Sequence, residues 1–220
     1  MHTIIIGPPG AGKGTLAGYL CDRLGMEHLS TGAMFRHEIQ MGTELGRLAE
    51  TYISRGELVP DEVTDGMVRH LLQEKNDQSY LLDGYPRTAA QAQTLDRILA
   101  ELGSELDLAV QIRVPDQQIV KRLAGRRVCP NCGAGYHVDA FPPQVEGICD
   151  RCGTAVEQRG DDREETVRER LRIYHERTEQ LIRDYQERGL LLVVDNSGSL
   201  EDSQRQIDAY FQNGALRDSD

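Results

Sequence analysis

The sequence predicts an α/β fold in which a parallel sheet is flanked by helices. Two observations carry this. Short runs of β-branched residues and leucine, beginning at Ile4-Ile5-Ile6, alternate along the chain with stretches of helical periodicity. Parallel strands joined by crossover helices produce that alternation. The first run then leads into Gly7-Pro8-Pro9-Gly10-Ala11-Gly12-Lys13-Gly14-Thr15, followed by Leu16, Leu20 and Leu24 at helical spacing. Strand, glycine-rich turn and helix thus follow one another within the first 24 residues. At 220 residues the chain can bury one sizeable core and carry a small appendage.

The remaining elements follow in order. Residues 27–30 read as a short second strand, and Ser30-Thr31-Gly32 as a turn with a helix N-cap. Two short helices are expected at 32–41 and 44–54. A loop over 55–61 returns the chain, and Asp61 is expected to cap a helix to about Gln73. Residues 79–84 form a strand ending in Asp83 and Gly84, and Thr88 opens a helix to about Leu102. Residues 106–114 make the fourth strand, and Pro115 starts a helix carrying Arg122, Arg126 and Arg127. Residues 128–158 change character, becoming rich in Gly, Pro and Cys. A long charged helix over 163–188, a last strand at 190–194, a last helix at 199–212 and a frayed polar tail at 214–220 complete the reading. Ligands of such sheets sit at the carboxyl ends of the strands, where Gly7 and Asp83 both fall.

The net charge of −11 argues against a nucleic-acid-binding or anionic-membrane surface. Phosphates must then be handled by local clusters of arginine. No apolar run approaches membrane-spanning length, and the N-terminus begins with a strand rather than a secretory signal. A cytoplasmic protein is expected.

The glycine-rich turn is the chemical centre. Glycines let backbone N–H groups point inward at an anion, and the helix N-terminus adds partial positive charge. Lys13 supplies a mobile full charge for the β and γ phosphates. The expected ligand is a nucleoside triphosphate. The usual pattern places Ser or Thr directly after the lysine, where its hydroxyl meets Mg²⁺. Here Gly14 stands there, so the metal should hang on the phosphates and on waters oriented by a carboxylate elsewhere. In Asp83-Gly84-Tyr85-Pro86-Arg87-Thr88, Asp83 can orient such waters and Arg87 can pair bidentately with a phosphate.

These motifs resemble those of the adenylate kinase family, in its long-lid form, over nearly the whole chain. Residues 7–15 resemble its phosphate loop, including Gly14. Ser30-Thr31-Gly32-Ala33-Met34-Phe35-Arg36 resembles its monophosphate motif, residues 83–88 with Gln91 its signature loop, and Gly125-Arg126-Arg127 and residues 159–170 the two hinges of its lid. The resemblance implies a P-loop core formed by 1–29, 60–121 and 160–220. It also implies a helical monophosphate-binding insert at 30–59 and a small β-rich, zinc-bearing lid at 122–159. By the same resemblance Gly10, Ala11, Gly12, Lys13, Gly14, Thr15, Arg122 and Arg126 would hold ATP. Thr31, Arg36, Glu57, Leu58, Val59, Gly84, Arg87, Gln91, Arg159 and Arg170 would hold AMP, with Gln91 reading the adenine edge. Lys13, Arg87, Arg122, Arg126, Arg159 and Arg170 would surround the transferring phosphoryl group, and Asp161 and Asp162 would pair with lid or core groups on closure. Two departures stand out: Ala33 replaces a usual Asp that supports Mg²⁺ through water, and Gly160 a common Lys. Arg168, Arg172 and Arg177 read instead as a solvated helix face. The implied reaction is ATP + AMP = 2 ADP, Mg²⁺-dependent, in a monomer that binds nucleotides and neither nucleic acid nor membrane. Another nucleoside monophosphate kinase is the alternative within enzymes. From a different class, an ATP-regulated zinc-ribbon binding module is countered by a segment 128–158 that is not strongly basic.

Cys129, Cys132, Cys149 and Cys152 form C-x₂-C-x₁₆-C-x₂-C. That spacing suits a closed tetrahedral Zn²⁺ site of structural type, against two disulfides or free thiols; zinc and iron stay open. Cys21 reads as a core residue, and His137 as a competing ligand excluded by a shell the cysteines already fill.

Overall fold

A computed structural model describes residues 1–75 and 78–213. The tail at 214–220 lies outside the described residues. Five strands form a parallel sheet: β1 (His2–Ile6), β2 (Glu27–Ser30), β3 (Tyr80–Asp83), β4 (Leu108–Arg113) and β7 (Leu191–Asp195). Their order across the sheet is β2-β3-β1-β4-β7, which places the first strand at the centre. The strands are apolar almost throughout because helices cover both faces. Ile5, Val110, Ile112 and Val194 point into one core, lined by α1 (Lys13–Leu24), α6 (Asp116–Gly125), α7 (Glu164–Ile173) and α9 (Leu200–Gln212). Ile4, Ile6, Tyr80 and Leu82 point into the other, lined by α4 (Asp61–Glu74), α5 (Ala89–Glu101) and α8 (Glu179–Glu187). Alternate residues of one strand thus serve opposite cores, as a two-residue period requires.

Two smaller clusters lie outside these cores. Helices α2 (Thr31–Met41) and α3 (Glu44–Ile53) pack Phe35, Ala49 and Val59 together. The hairpin of β5 (Arg126–Val128) and β6 (Gly135–His137) encloses Cys129, Ala134, Tyr136 and Cys149.

Three sequence expectations change. Asp61 is the first residue of α4 and does not cap it. Its carboxylate accepts instead from Thr88 Oγ1 and Gln91 Nε2, each at 2.8 Å. Arg126 and Arg127 are not on the helix of Arg122. That helix stops at Gly125, and Arg126 turns extended to begin the hairpin. The expected helix over 163–188 is interrupted by a π turn at Tyr174–Thr178. His137 stays outside the cysteine group as expected, and its Nδ1 accepts the Asp139 and Ala140 N–H groups at 3.1 and 3.2 Å. Cys21 is buried as expected, and burial pushes its thiol up to about 11, which leaves it unreactive.

Candidate active site

The loop between β1 and α1 reverses the chain at the centre of the sheet. Gly12 sits at φ +87°, and a Cβ there would lie 2.5 Å from Asn196 Nδ2. Only glycine fits on both counts. Among the described α-helices, α1 alone has neither a side-chain N-cap nor an acidic residue in its first turn. Ser30, Thr43, Thr88 and Ser199 cap four others, and acids occupy the first turn of the rest. The positive end of α1 is therefore left to an external anion.

Lys13 Nζ folds back over this loop and donates to the Gly7 and Pro8 carbonyls at 2.8 and 2.9 Å. Burial lowers the amine to about 8, with Asp83 opposing the shift. Asp83 ends β3 beside Ile5 of β1, so both strands deliver their carboxyl ends to the same place. Burial acts to raise its carboxyl, but His28, Lys13 and Arg87 outweigh that and hold it below the usual range. His28 Nε2 lies 3.4 Å from an Asp83 carboxylate oxygen.

An open cleft runs from this loop to α2. Lys13, Thr31, Arg36, Glu57, Leu58, Val59, Gly84, Arg87, Gln91 and Arg170 all line it. Gly84 has φ +91°, and a Cβ there would come within 2.7 Å of Thr31 Oγ1 and 2.9 Å of Arg87 Nη2, closing the cleft floor. Arg87 Nε donates to the Gly84 carbonyl at 2.8 Å. Gln91 is buried, its Oε1 accepting from the Arg87 N–H at 2.7 Å and its Nε2 donating to Asp61.

The segments on either side of the cysteine-bearing stretch bring further charges. Arg126 pairs bidentately with the fully buried Asp162 at 2.7 and 2.5 Å, and Arg170 pairs with Asp161 at 2.9 Å. Arg159 packs close to Arg36 and Arg126, and its buried Nε has no partner. Burial drives Arg87 and Arg159 down to about 10, and neighbouring arginines push the same way. Cations thus outnumber the carboxylates Asp83, Asp161 and Asp162 here, within a chain of net charge −11. Such an arrangement is costly until a polyanion fills it.

Arg122 stands apart. Its Nη2 donates to the Asn196 carbonyl at 2.7 Å. Asn196, which the sequence reading passed over, supports the phosphate loop. Its Nδ2 donates to the Ala11 carbonyl at 2.7 Å, and its Oδ1 accepts from Ser203 at 2.8 Å. The available signal was a polar residue just past the carboxyl end of the last strand. Arg168 and Arg172 pair with Glu164, Glu169 and Glu176 on the exposed face of α7 and the π turn, as expected.

Between the hairpin and the segment that follows it, the four cysteine sulfurs lie within 4.8 Å of one another. Two are 3.4 Å apart (Cys129–Cys152) and two 3.5 Å (Cys132–Cys149), and all four are free thiols. Sulfurs at ~2.3 Å around a tetrahedral ion stand roughly 3.8 Å apart, so this donor set fits one. The two pairs form matching knuckles, in which the Gly133 and Gly153 N–H groups donate to the Cys129 and Cys149 carbonyls. Tyr136 OH adds a donor to Cys149 Sγ at 3.3 Å.

A parallel sheet with an uncapped helix behind a phosphate loop, facing a second anion pocket across one cleft, defines a P-loop phosphotransferase with two nucleotide subsites. Comparison with known proteins narrows the class. The family model for adenylate kinase matches residues 5–190. A protein named adenylate kinase from Symbiobacterium thermophilum is 52% identical over 195 residues, covering 88% of this chain and 90% of its own. Those of Caldicellulosiruptor saccharolyticus and Streptomyces avermitilis are each 46% identical, covering 94% and 99% of this chain and 97% and 100% of theirs. The chain belongs to the adenylate kinase family. It is a nucleoside monophosphate kinase that transfers a phosphoryl group reversibly between MgATP and AMP, giving two ADP. No helix among the described residues is long and apolar enough to cross a membrane.

Proposed function

We propose that the cleft holds the two nucleotides end to end, ATP on the phosphate loop and AMP between α2 and the Asp83–Gln91 segment. The observation that supports this most is the single cleft joining Lys13 to Thr31, Arg36, Arg87 and Gln91. In this reading 1–29, 60–121 and 160–220 form the core, 30–59 the monophosphate-binding insert and 122–159 the lid. Backbone of residues 10–15 and Lys13 cradle the triphosphate, with Arg122 and Arg126. Thr31, Arg36, Arg87 and Gly84 receive the AMP phosphate, and Glu57, Leu58, Val59 and Gln91 surround its base. Gln91 can read the adenine edge with its second Nε2 hydrogen, since the Asp61 and Arg87 bonds take one donor and one acceptor position of the amide.

Phosphoryl transfer asks the protein for position and charge, not for a nucleophile. An oxygen of the AMP phosphate attacks the γ-phosphorus, and the bond to the β-phosphate oxygen breaks. Lys13, Arg87, Arg126, Arg159 and Arg170 meet the charge spread over the equatorial oxygens. Mg²⁺ bound with ATP would neutralise charge on the β and γ phosphates, and Asp83 would orient its waters. The Arg126–Asp162 and Arg170–Asp161 pairs keep these cations in position before the phosphates arrive, and the lid excludes water once they do. We assign structural Zn²⁺ to Cys129, Cys132, Cys149 and Cys152, and read the protein as a cytoplasmic monomer.

A coupled assay of ATP against AMP, CMP, UMP and GMP tests this reading. AMP is expected to win in kcat/KM by tenfold or more, about 1.4 kcal/mol of discrimination. In the same assay Arg87→Ala should raise KM for AMP by roughly tenfold or more, with little change for ATP. Equal rises in both would remove Arg87 from the monophosphate subsite.

The buried amine of Lys13 makes a separate prediction. Phosphates raise its pKa from about 8, so above that pH ATP binding takes up a proton. Affinity should be flat below about pH 8 and fall by up to about tenfold per pH unit above it. Stability of the ligand-free fold runs oppositely. The unfolded lysine, at 10.5, binds its proton more tightly than the folded one, so this group adds stability as pH rises from about 8 to 10.5. Calorimetry at about pH 9 in two buffers of different ionisation enthalpy checks the uptake, and identical binding heats would refute it.

A further inference from the structure

The main chain of Arg87 is gripped by side chains on both sides. Its N–H donates to Gln91 Oε1 at 2.7 Å, and its carbonyl accepts from Thr178 Oγ1 at 2.9 Å. Gln91 is a near neighbour in sequence, but Thr178 comes from 91 residues away. It closes the π turn at Tyr174–Thr178, is 6% exposed, and lines the cleft. A π turn carries one more residue than an α turn, so the side chains beyond it face a different direction from those of an unbroken helix. That widened turn brings Thr178 to the Arg87 carbonyl. A valine there would fill the same space but take this bond from a part-buried carbonyl.

The consequence reaches the guanidinium. With the N–H, C=O and Nε of Arg87 each bonded to protein, only its terminal nitrogens are offered to a phosphate. The π turn also continues directly from α7, which carries Arg170. One hydroxyl therefore ties the loop of Arg87 to the helix of Arg170 across the cleft. We infer that Thr178 is a positioning residue for AMP, holding Arg87 in the direction that meets the monophosphate. The inference rests on the reading that Arg87 binds the AMP phosphate.

Initial-rate kinetics and thermal melting of Thr178→Val, Thr178→Ser, Arg87→Ala and the double variant Arg87→Ala/Thr178→Val test it. Thr178→Val should raise KM for AMP by about tenfold, as the phosphate contact of a mis-aimed guanidinium weakens. KM for ATP should change by less than about twofold, and Thr178→Ser should restore AMP binding. Adding Thr178→Val to Arg87→Ala should cost nothing further for AMP, because the group being positioned is gone. If Thr178→Val does not fold, Thr178→Ala takes its place in the same comparison. If Arg87→Ala leaves KM for AMP unchanged, the assignment of Arg87 fails and the inference with it. If Arg87→Ala acts but Thr178→Val only lowers the melting temperature, or moves both KM values together, the positioning role is overturned.

Discussion

Lys13→Met is expected to lower kcat/KM by roughly 10²–10³-fold, or about 3–4 kcal/mol, in a protein that remains folded. Methionine keeps an unbranched, flexible stem but loses the ammonium, with its charge and its two hydrogen bonds. In the ligand-free protein that charge is held by the Gly7 and Pro8 carbonyls, inside a site where burial has already weakened it. Removing it should therefore cost the fold little. The transition state, by contrast, needs a cation at the β and γ phosphates, which Lys13 can reach from the first residue of α1. Loss in kcat should exceed the rise in KM for ATP, because the interaction strengthens as charge moves between phosphates. Initial rates in both directions, with a thermal melt of each protein, decide the matter. Turnover within about tenfold of the parent in a folded variant would remove Lys13 from the transition state.

Metal removal should have the largest effect on stability. The cysteine-bearing segment owns only a small cluster of buried residues, Cys129, Ala134, Tyr136 and Cys149. A segment below ~40 residues rarely holds together on its own core. Four thiolates around one Zn²⁺ contribute on the order of 10 kcal/mol of coupled binding and folding energy, part of which orders glycine-rich backbone. Without the ion the melting temperature is expected to fall by roughly 10 °C or more, as a net loss of several kcal/mol implies for a chain of this size. Activity should survive at low temperature, because Arg126 and Arg159 lie outside the cysteine pairs and Arg126 is anchored by Asp162. Elemental analysis, then chelation under denaturing conditions, refolding, calorimetry and a cold assay test each part. A metal content near zero in protein made with zinc present would refute the site, and iron in its place would change the ion. An unchanged melting temperature would refute stabilisation, and complete inactivity of a folded apo-protein would refute a purely structural role.

Much of this was local chemistry and so was legible in the chain itself. The phosphate loop is a contiguous run whose glycines, lysine and helix declare themselves without reference to anything distant. The parallel sheet follows from apolar strands alternating with helices, and the cysteine spacing points to the four sulfurs that the fold brings together. Even the division of the α7 face was readable. Arg168 and Arg172 have glutamates three or four residues away and stay outside, whereas Arg170 turns inward to Asp161.

The tertiary structure decided what depends on residues far apart in sequence. Asp61 looks like a helix cap because acids favour that position. The nearness of α5 redirects its carboxylate to Thr88 and Gln91, about thirty residues on. The periodicity of residues 163–188 shows one helix, because a single inserted residue hardly disturbs a hydrophobic pattern, yet that residue swings Thr178 onto the Arg87 carbonyl. Asn196 carries no motif, and its value lies wholly in reaching Ala11, 185 residues away. By itself the sequence determined the class of fold, the phosphate loop and the likeness to a nucleotide kinase, since each is written in neighbours along the chain. Only packing decided how the arginines are held, since a guanidinium's direction is set by whatever the folded chain brings against it.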